Sequence, residues 1–211
     1  MNSFKNMEGK VIVEGLIKTI QVNKDYLSQI DGEIGDGDHG INMNKGFTMC
    51  EERIAHQPLN LTDSLKELAM VLMMEIGGSM GPLYGTMFFE MSKVTNGKED
   101  IDSQVFAEML RKAAAGIKNL GNAKVGDKTL MDTLVPAVEA FNESKDSDFS
   151  IALDKMIEAA EKGKDSTIDL VAKIGRASRL GERSRGVLDA GATSCFLMLK
   201  AMAESIKELM A

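Results

Sequence analysis

Apolar residues recur at three- and four-residue spacing along almost the whole chain, and strand-like alternation is nearly absent. A chain patterned this way must bury helical stripes against one another, so the expected fold class is all-α. Eight helices can be read. Ile12, Leu16, Ile20, Leu27 and Ile30 mark the first, about Lys10–Ile30. Met43, Phe47, Cys50 and Ile54 mark the second. Leu65, Leu68, Leu72 and Ile76 mark the third, opened by a capping box of Ser64 with Glu67. Leu83, Met87, Met91 and Val94 mark the fourth. Val105, Met109, Ala113 and Ile117 mark the fifth, with Asp102 near its start. Leu130, Leu134, Val138 and Phe141 mark the sixth, where Pro136 predicts a kink. Ile151–Ile174 reads as one long helix with a break near Gly163, and Ala192–Met210 is the last. No repeat or linker divides the 211 residues, so a single domain, 1–211, is expected.

Short connections favour antiparallel neighbours, which sorts the loops into two ends. One end receives "AHQPLN", "TNGKED" and "NESKDSD". The other receives "DGEIGDGDHG", "GGSMGPLYG", "GNAKVGDKT" and "GRASRLGERSRGVLDAG", which hold 14 of the 20 glycines. Glycine lets backbone approach a ligand closely and frees amide N–H groups to face it. A ligand site is therefore expected at that end.

The first of these loops concentrates carboxylates, which repel unless a cation lies among them. Asp31, Asp36 and Asp38 offer the hard oxygens that magnesium or calcium prefers, though a solvated acidic turn would look the same in isolation. An EF-hand fails, because the twelfth position counted from Asp36 is Phe47 rather than Glu. Two His and two Cys without ligand-like spacing do not make a zinc site. Gly35, Gly37 and Gly40 fit G-x-G-x-x-G, but no strand precedes them and the intervening Asp residues would repel a pyrophosphate on the backbone. "GNAKVGDKT" misses a Walker A loop because Asp127 separates Gly126 from Lys128. Glycines, helix N-termini and a few cations still suit phosphate, and carboxylates beside phosphates need a metal bridge. The ingredients indicate a nucleotide with magnesium, and phosphoryl transfer as the chemistry.

His39 suits a phosphate contact, a general acid–base group, a phosphohistidine carrier or a structural hydrogen bond. His56 lies in a bland connection and reads as a surface residue. Arg176, Arg179, Arg183 and Arg185 cluster in the last long loop, where at least one can reach a phosphate. Lys124 and Lys128 are weaker candidates on the same grounds. A net charge of −7 argues against nucleic acid as a partner. No apolar run reaches membrane-spanning length, and Glu14 interrupts the apolar stretch near the N-terminus, so neither a membrane span nor a signal peptide is expected. Cys50 and Cys195 are expected as buried free thiols in a reducing cytoplasm. The 16 methionines are expected as core filler.

The motifs "GEIGDGDHGINMNKGF", "GGSMGPLYGT", "GDKTLMD" and "GRASRLGERS…DAGATS" resemble, in the same order, those of the DhaL family, the nucleotide-binding subunits of dihydroxyacetone kinases. The resemblance implies a closed up-and-down barrel of about eight antiparallel helices with the nucleotide at one end. It implies two magnesium ions held by Asp31, Asp36 and Asp38, and Arg176 adding positive charge at the transferred group. It implies ADP, or ATP, contacted by His39, Gly40, Ile41 and Asn42, by Gly78, Ser79 and Met80, by Gly121 and Leu130, and by Arg176, Asp189, Ala190 and Gly191. The implied partners are a DhaK-type subunit that holds dihydroxyacetone and a phosphohistidine donor protein of the phosphotransferase system; a homodimer is also open. The alternatives are an ATP-dependent kinase subunit for another small ketose or polyol, a non-catalytic or regulatory module that binds nucleotide or a transcription factor, and a barrel centre filled by a lipid-like ligand. The chain departs from the family pattern at Ser79-Met80, where Ala-Ser is common, and at Leu130, Val187, Ala190, Arg179 and Arg185.

Overall fold

A computed structural model of the chain describes residues 3–211. Among them nine α-helices carry the fold, one more than the periodicity suggests, because the expected first helix is two. α1 (Lys10–Val22) and α2 (Lys24–Ile34) part at Asn23, whose side-chain amide donates to the Thr19 carbonyl at 2.8 Å. An Asn amide that claims a main-chain acceptor competes with the helix for it, and the Asn23 backbone leaves the helical well. α2 then runs past Ile30 to Ile34, so Asp31 lies in a helix rather than a loop.

α3 spans His39–Ile54 and α4 spans Leu61–Glu75. The expected capping box is not used: Asn60 caps α4, accepting from the Asp63 N–H at 2.8 Å, while Ser64 is buried one turn further on. α5 (Met80–Thr95) leads through a short strand, β2 (Asp100–Asp102), into α6 (Ser103–Leu120). Asp102 caps α6 from its side-chain oxygen to the Val105 N–H at 2.8 Å. β2 pairs antiparallel with β1 (Ser3–Lys5), Phe4 opposite Ile101, a ribbon that periodicity does not show.

α7 (Met131–Ser144) is continuous through Pro136. Pro136 has no N–H to give the Asp132 carbonyl four residues back. α8 (Phe149–Ser166) comes in against that same carbonyl, and a Cβ on Gly163 would collide with it. Gly163 is thus a close-approach residue inside α8, not the expected break. The long helix ends instead at Ser166, where a 3-10 turn at Thr167–Asp169 begins the connection to α9 (Ala190–Met210). That connection carries a second 3-10 run, Arg176–Ser184, interrupted at Gly181.

Each of α3 to α9 packs on the next, and α9 packs on α1, which in turn packs on α3. The helices therefore close a ring, with α2 lying against α3 and α9 at one end of it. Phe106, Phe141 and Phe149 join α6, α7 and α8 with ring centroids 5.1–5.9 Å apart. Each buried ring of this kind contributes about 1.5–3 kcal/mol by removing apolar area from water. The void lined by Phe4, Ile12, Phe106 and Ile206 admits no water-sized sphere. Side chains rather than a lipid-like guest occupy that part of the ring. No helix among the described residues is long and apolar enough to cross a membrane.

Candidate functional site

All four glycine-bearing loops meet at one end of the ring and wall a cavity of about 790 Å³. The N-terminal ends of α3, α5, α7 and α9 border it, through His39, Met80, Met131 and Ala190. Helix N-termini present unpaired N–H groups and a positive dipole end, which favour an anion. Apolar side chains also line the cavity, among them Leu83, Ile117 and Leu130.

The acidic hairpin stands at the mouth. The last turn of α2 supplies Asp31, Gly37 reverses the chain at φ +75°, and Asp38 immediately precedes α3. One oxygen from each of Asp31, Asp36 and Asp38 lies within 4.8 Å of the other two. Asp31 is half-buried and also accepts the His39 backbone N–H at 3.3 Å. Three hard oxygens so close together fit a small divalent cation, and no second carboxylate or His/Cys cluster of that kind occurs among the described residues. Arg176 crosses from the α8–α9 connection to ion-pair with Asp36.

His39 is held from behind. Its Nε2 shares a hydrogen bond of 2.9 Å with Ser194 Oγ on α9, and Ser194 Oγ shares one of 2.6 Å with Tyr84 OH on α5. Tyr84 OH also donates to the Gly191 carbonyl at 2.9 Å. Burial pushes the His39 imidazole down to about 4, against the pull of Asp31, so the ring is neutral near pH 7. Asp189 caps α9, accepting the Ala192 N–H at 2.7 Å, and burial pushes its carboxyl up to about 7 with the Asp132 and Asp31 charges adding to the rise. Sequence reasoning missed Tyr84 and Ser194; a tyrosine flanked by glycines in "GPLYGT" was the only local signal.

The α6–α7 loop is braced by Asp132, whose carboxylate accepts the Gly126 N–H at 2.6 Å and the Thr129 N–H at 2.7 Å. Lys128, read as a weak phosphate candidate, turns inward and bonds main-chain carbonyls instead. Lys124 is exposed and lies off the cavity wall. Arg185 folds back on the Asp169 carbonyl and Glu182, while Arg179 and Arg183 are exposed. His56 is exposed in the connection between α3 and α4.

The cavity wall brings together Asp31, Asp36, Asp38, His39 and Asn42 from the hairpin and α3. Gly78, Ser79 and Met80 join from the second loop, and Gly121 and Leu130 from the third. Arg176, Asp189, Ala190 and Gly191 complete it from the fourth. Gly40 and Ile41 are not on the wall. Gly40 is buried against α2, and Ile41 is 54% exposed on the outer side of α3.

Residues 33–204 match the DAK2 domain family, which takes in Asp36 and Asp38 and begins two positions after Asp31. This chain belongs to that family. Among curated DAK2 relatives, it is 40% identical over 187 residues to the ADP-binding subunit DhaL of PEP-dependent dihydroxyacetone kinase from Escherichia coli (strain K12), covering 87% of this chain and 89% of that one. It is 35% identical over 202 residues to the ADP-binding subunit DhaL of PEP-dependent dihydroxyacetone kinase 2 from Listeria innocua, covering 93% of both. The crystal structure of the dihydroxyacetone kinase from C. freundii in complex with AMP-PNP and Mg2+ superposes with a TM-score of 0.71 at 25% identity, covering 93% of this chain and 33% of that one. The DAK2 fold thus occurs both as a chain of this length and as one third of a larger kinase.

Proposed function

We propose that this chain is the cytoplasmic nucleotide-binding subunit of a dihydroxyacetone kinase that holds ADP as its magnesium complex. The observation that carries the reading is the convergence of Asp31, Asp36 and Asp38 on a cavity bordered by four helix N-termini, in a chain matching curated ADP-binding subunits along nearly their whole length. Asp31, Asp36 and Asp38 would hold the metal. Three carboxylates facing a diphosphate leave more negative charge than one divalent cation offsets, which supports two magnesium ions. When bound, the magnesium nucleotide supplies a phosphoryl relay from a phosphohistidine donor protein of the phosphotransferase system to dihydroxyacetone on a DhaK-type subunit.

The chain's own groups prepare the site. The N-termini of α3, α5 and α9 direct N–H groups and positive dipole ends at the phosphates. Arg176 supplies a fixed cation beside the carboxylates. Ser194 and Tyr84 hold the neutral His39 ring in one orientation next to Asp31. Leu83, Ile117, Leu130 and Met80 offer an apolar wall to the base. The polar groups of the wall are committed to metal and nucleotide, so the ketose is brought by the other subunit.

Erythrulose kinases also match, at 29–34% identity, but this chain spans only 32–33% of their length. The relatives of which this chain covers 89–93% are dihydroxyacetone kinase subunits, which favours that ketose. Calorimetry with Mg·ADP, followed by reconstitution, tests the reading. The chain alone should bind Mg·ADP, and dihydroxyacetone should be phosphorylated only when the DhaK-type subunit and a phosphohistidine donor are both added. Robust turnover by the isolated chain with ATP would overturn the subunit assignment.

A further inference from the structure

Lys128 is the one non-glycine residue among those described with positive φ, at 62°. Its side chain is 1% exposed. The ammonium donates to the carbonyls of Thr167 at 2.7 Å, Leu170 at 3.2 Å and Val187 at 2.6 Å. An ammonium has three N–H donors, so none remains for a phosphate. Burial lowers its pKa, and three carbonyl dipoles replace the hydration it has lost. A strained backbone and a buried cation persist at one residue only where the surroundings demand both.

The three acceptors lie on both limbs of the α8–α9 connection. Thr167 and Leu170 are on the outgoing limb and Val187 is on the returning one. Between the limbs lies Arg176, which pairs with Asp36. Other bonds at the neck, from Gly186 N–H to the Ile168 carbonyl at 2.7 Å and from Ala172 N–H to Ser184 Oγ at 2.9 Å, tie the limbs to each other. Lys173 ties the outgoing limb alone to the α6–α7 loop, through its backbone N–H to the Asp127 carbonyl at 3.1 Å and its ammonium to the Gly126 carbonyl at 2.7 Å. Lys128 ties both limbs to that loop, which Asp132 braces.

We propose that Lys128 is a positioning residue: it buckles both limbs of the arginine-bearing connection to the α6–α7 loop and thereby holds Arg176 against the carboxylates at the mouth. This rests on the nucleotide-site reading above and assigns how that site is kept assembled. Only a lysine combines this reach with three donors at a single atom.

The connection contains Arg176, Arg179, Arg183 and Arg185, so trypsin reports its release directly. In Lys128→Met, cleavage at these four arginines should rise at least about tenfold, with sites elsewhere unchanged. Mg·ADP affinity should fall about tenfold, the loss of one charge-assisted contact. Arg176→Ala should lose a similar factor, and the double variant should bind no more weakly than Arg176→Ala alone. Unchanged cleavage of the connection, a rise spread evenly over the chain, or losses that multiply in the double variant would each overturn the proposal. Failure of the wild-type chain to bind Mg·ADP would strike the nucleotide reading, while the trypsin comparison would still judge the buckle. If Lys128→Met does not fold, Lys128→Gln, which keeps two donors, carries the same two comparisons.

Discussion

Arg176 and Asp36 stand 140 positions apart in the chain and form an ion pair across the mouth of the cavity. The pair is largely exposed, so its contribution to stability is about 0–1 kcal/mol. Its importance is positional, since it joins the first glycine-bearing loop to the last and sets a cation beside three carboxylates.

Asp38→Asn should weaken Mg·ADP binding by about tenfold or more while leaving the melting temperature unchanged or higher. Three carboxylates with oxygens within 4.8 Å repel one another when no metal is present, so removing one charge relieves the empty protein. Calorimetry and thermal melts on the same sample read both effects. Equal Mg·ADP affinity in wild type and variant would contradict the metal assignment.

Gly40→Ala should destabilise the fold by about 1–3 kcal/mol, the usual cost of forcing extra volume into a packed contact. A Cβ at Gly40 would strike the Lys24 carbonyl oxygen and lie 2.6 Å from Ser28 Oγ. The close approach of α2 and α3 positions the hairpin between them, so nucleotide affinity should drop as well. Urea unfolding measures the first effect; a variant as stable as wild type would mean that the two helices can separate freely.

Tyr84→Phe removes the hydroxyl bonded to the Gly191 carbonyl and to Ser194 Oγ. The Gly191 carbonyl keeps the Ser194 hydroxyl at 3.1 Å and Ser194 keeps His39, so the loss should be that of an ordinary hydrogen bond, about 0.5–1.5 kcal/mol. The His39 ring would lose its fixed support, and affinity for Mg·ADP should decline while remaining measurable. Chemical denaturation and calorimetry, compared with Ser194→Ala, check whether the two residues act on the ring through one network: their combined effect should be smaller than the sum of the separate ones.

Cys50 and Cys195 should not react with a thiol reagent at pH 8 in the native protein, and both should react after denaturation. Burial pushes each thiol up to about 12, so the thiolate is scarce and shielded at working pH. A rapid reaction of either residue in the folded chain would show that α3 or α9 opens locally.

Much of the site could be read before any coordinates. The clustering of glycines in alternate connections located the functional end, because helix order and short loops dictate which connections meet. The carboxylates of Asp31, Asp36 and Asp38 lie within eight residues, so their proximity is a local property of the chain. What could not be read are pairings between distant segments. His39 and Ser194 are 155 positions apart, and nothing in either neighbourhood announces the other. Lys128 has the same residue type as a phosphate ligand; only the fold shows its Nζ surrounded by carbonyls.

Helix boundaries divide along the same line. Asp102, expected near the start of α6, caps it, because the cap and the amide it serves are three residues apart. Asn23 and Asn60 took roles that periodicity alone does not distinguish from those of neighbouring polar residues. The amino-acid order by itself determined an all-helical chain with one glycine-rich, acidic end, since apolar spacing and backbone freedom act over a few residues. Tertiary structure decided which cation faces the carboxylates, which is spent inside, and how the histidine is aimed. Those outcomes depend on burial and on contacts between segments that meet only when the ring of helices closes.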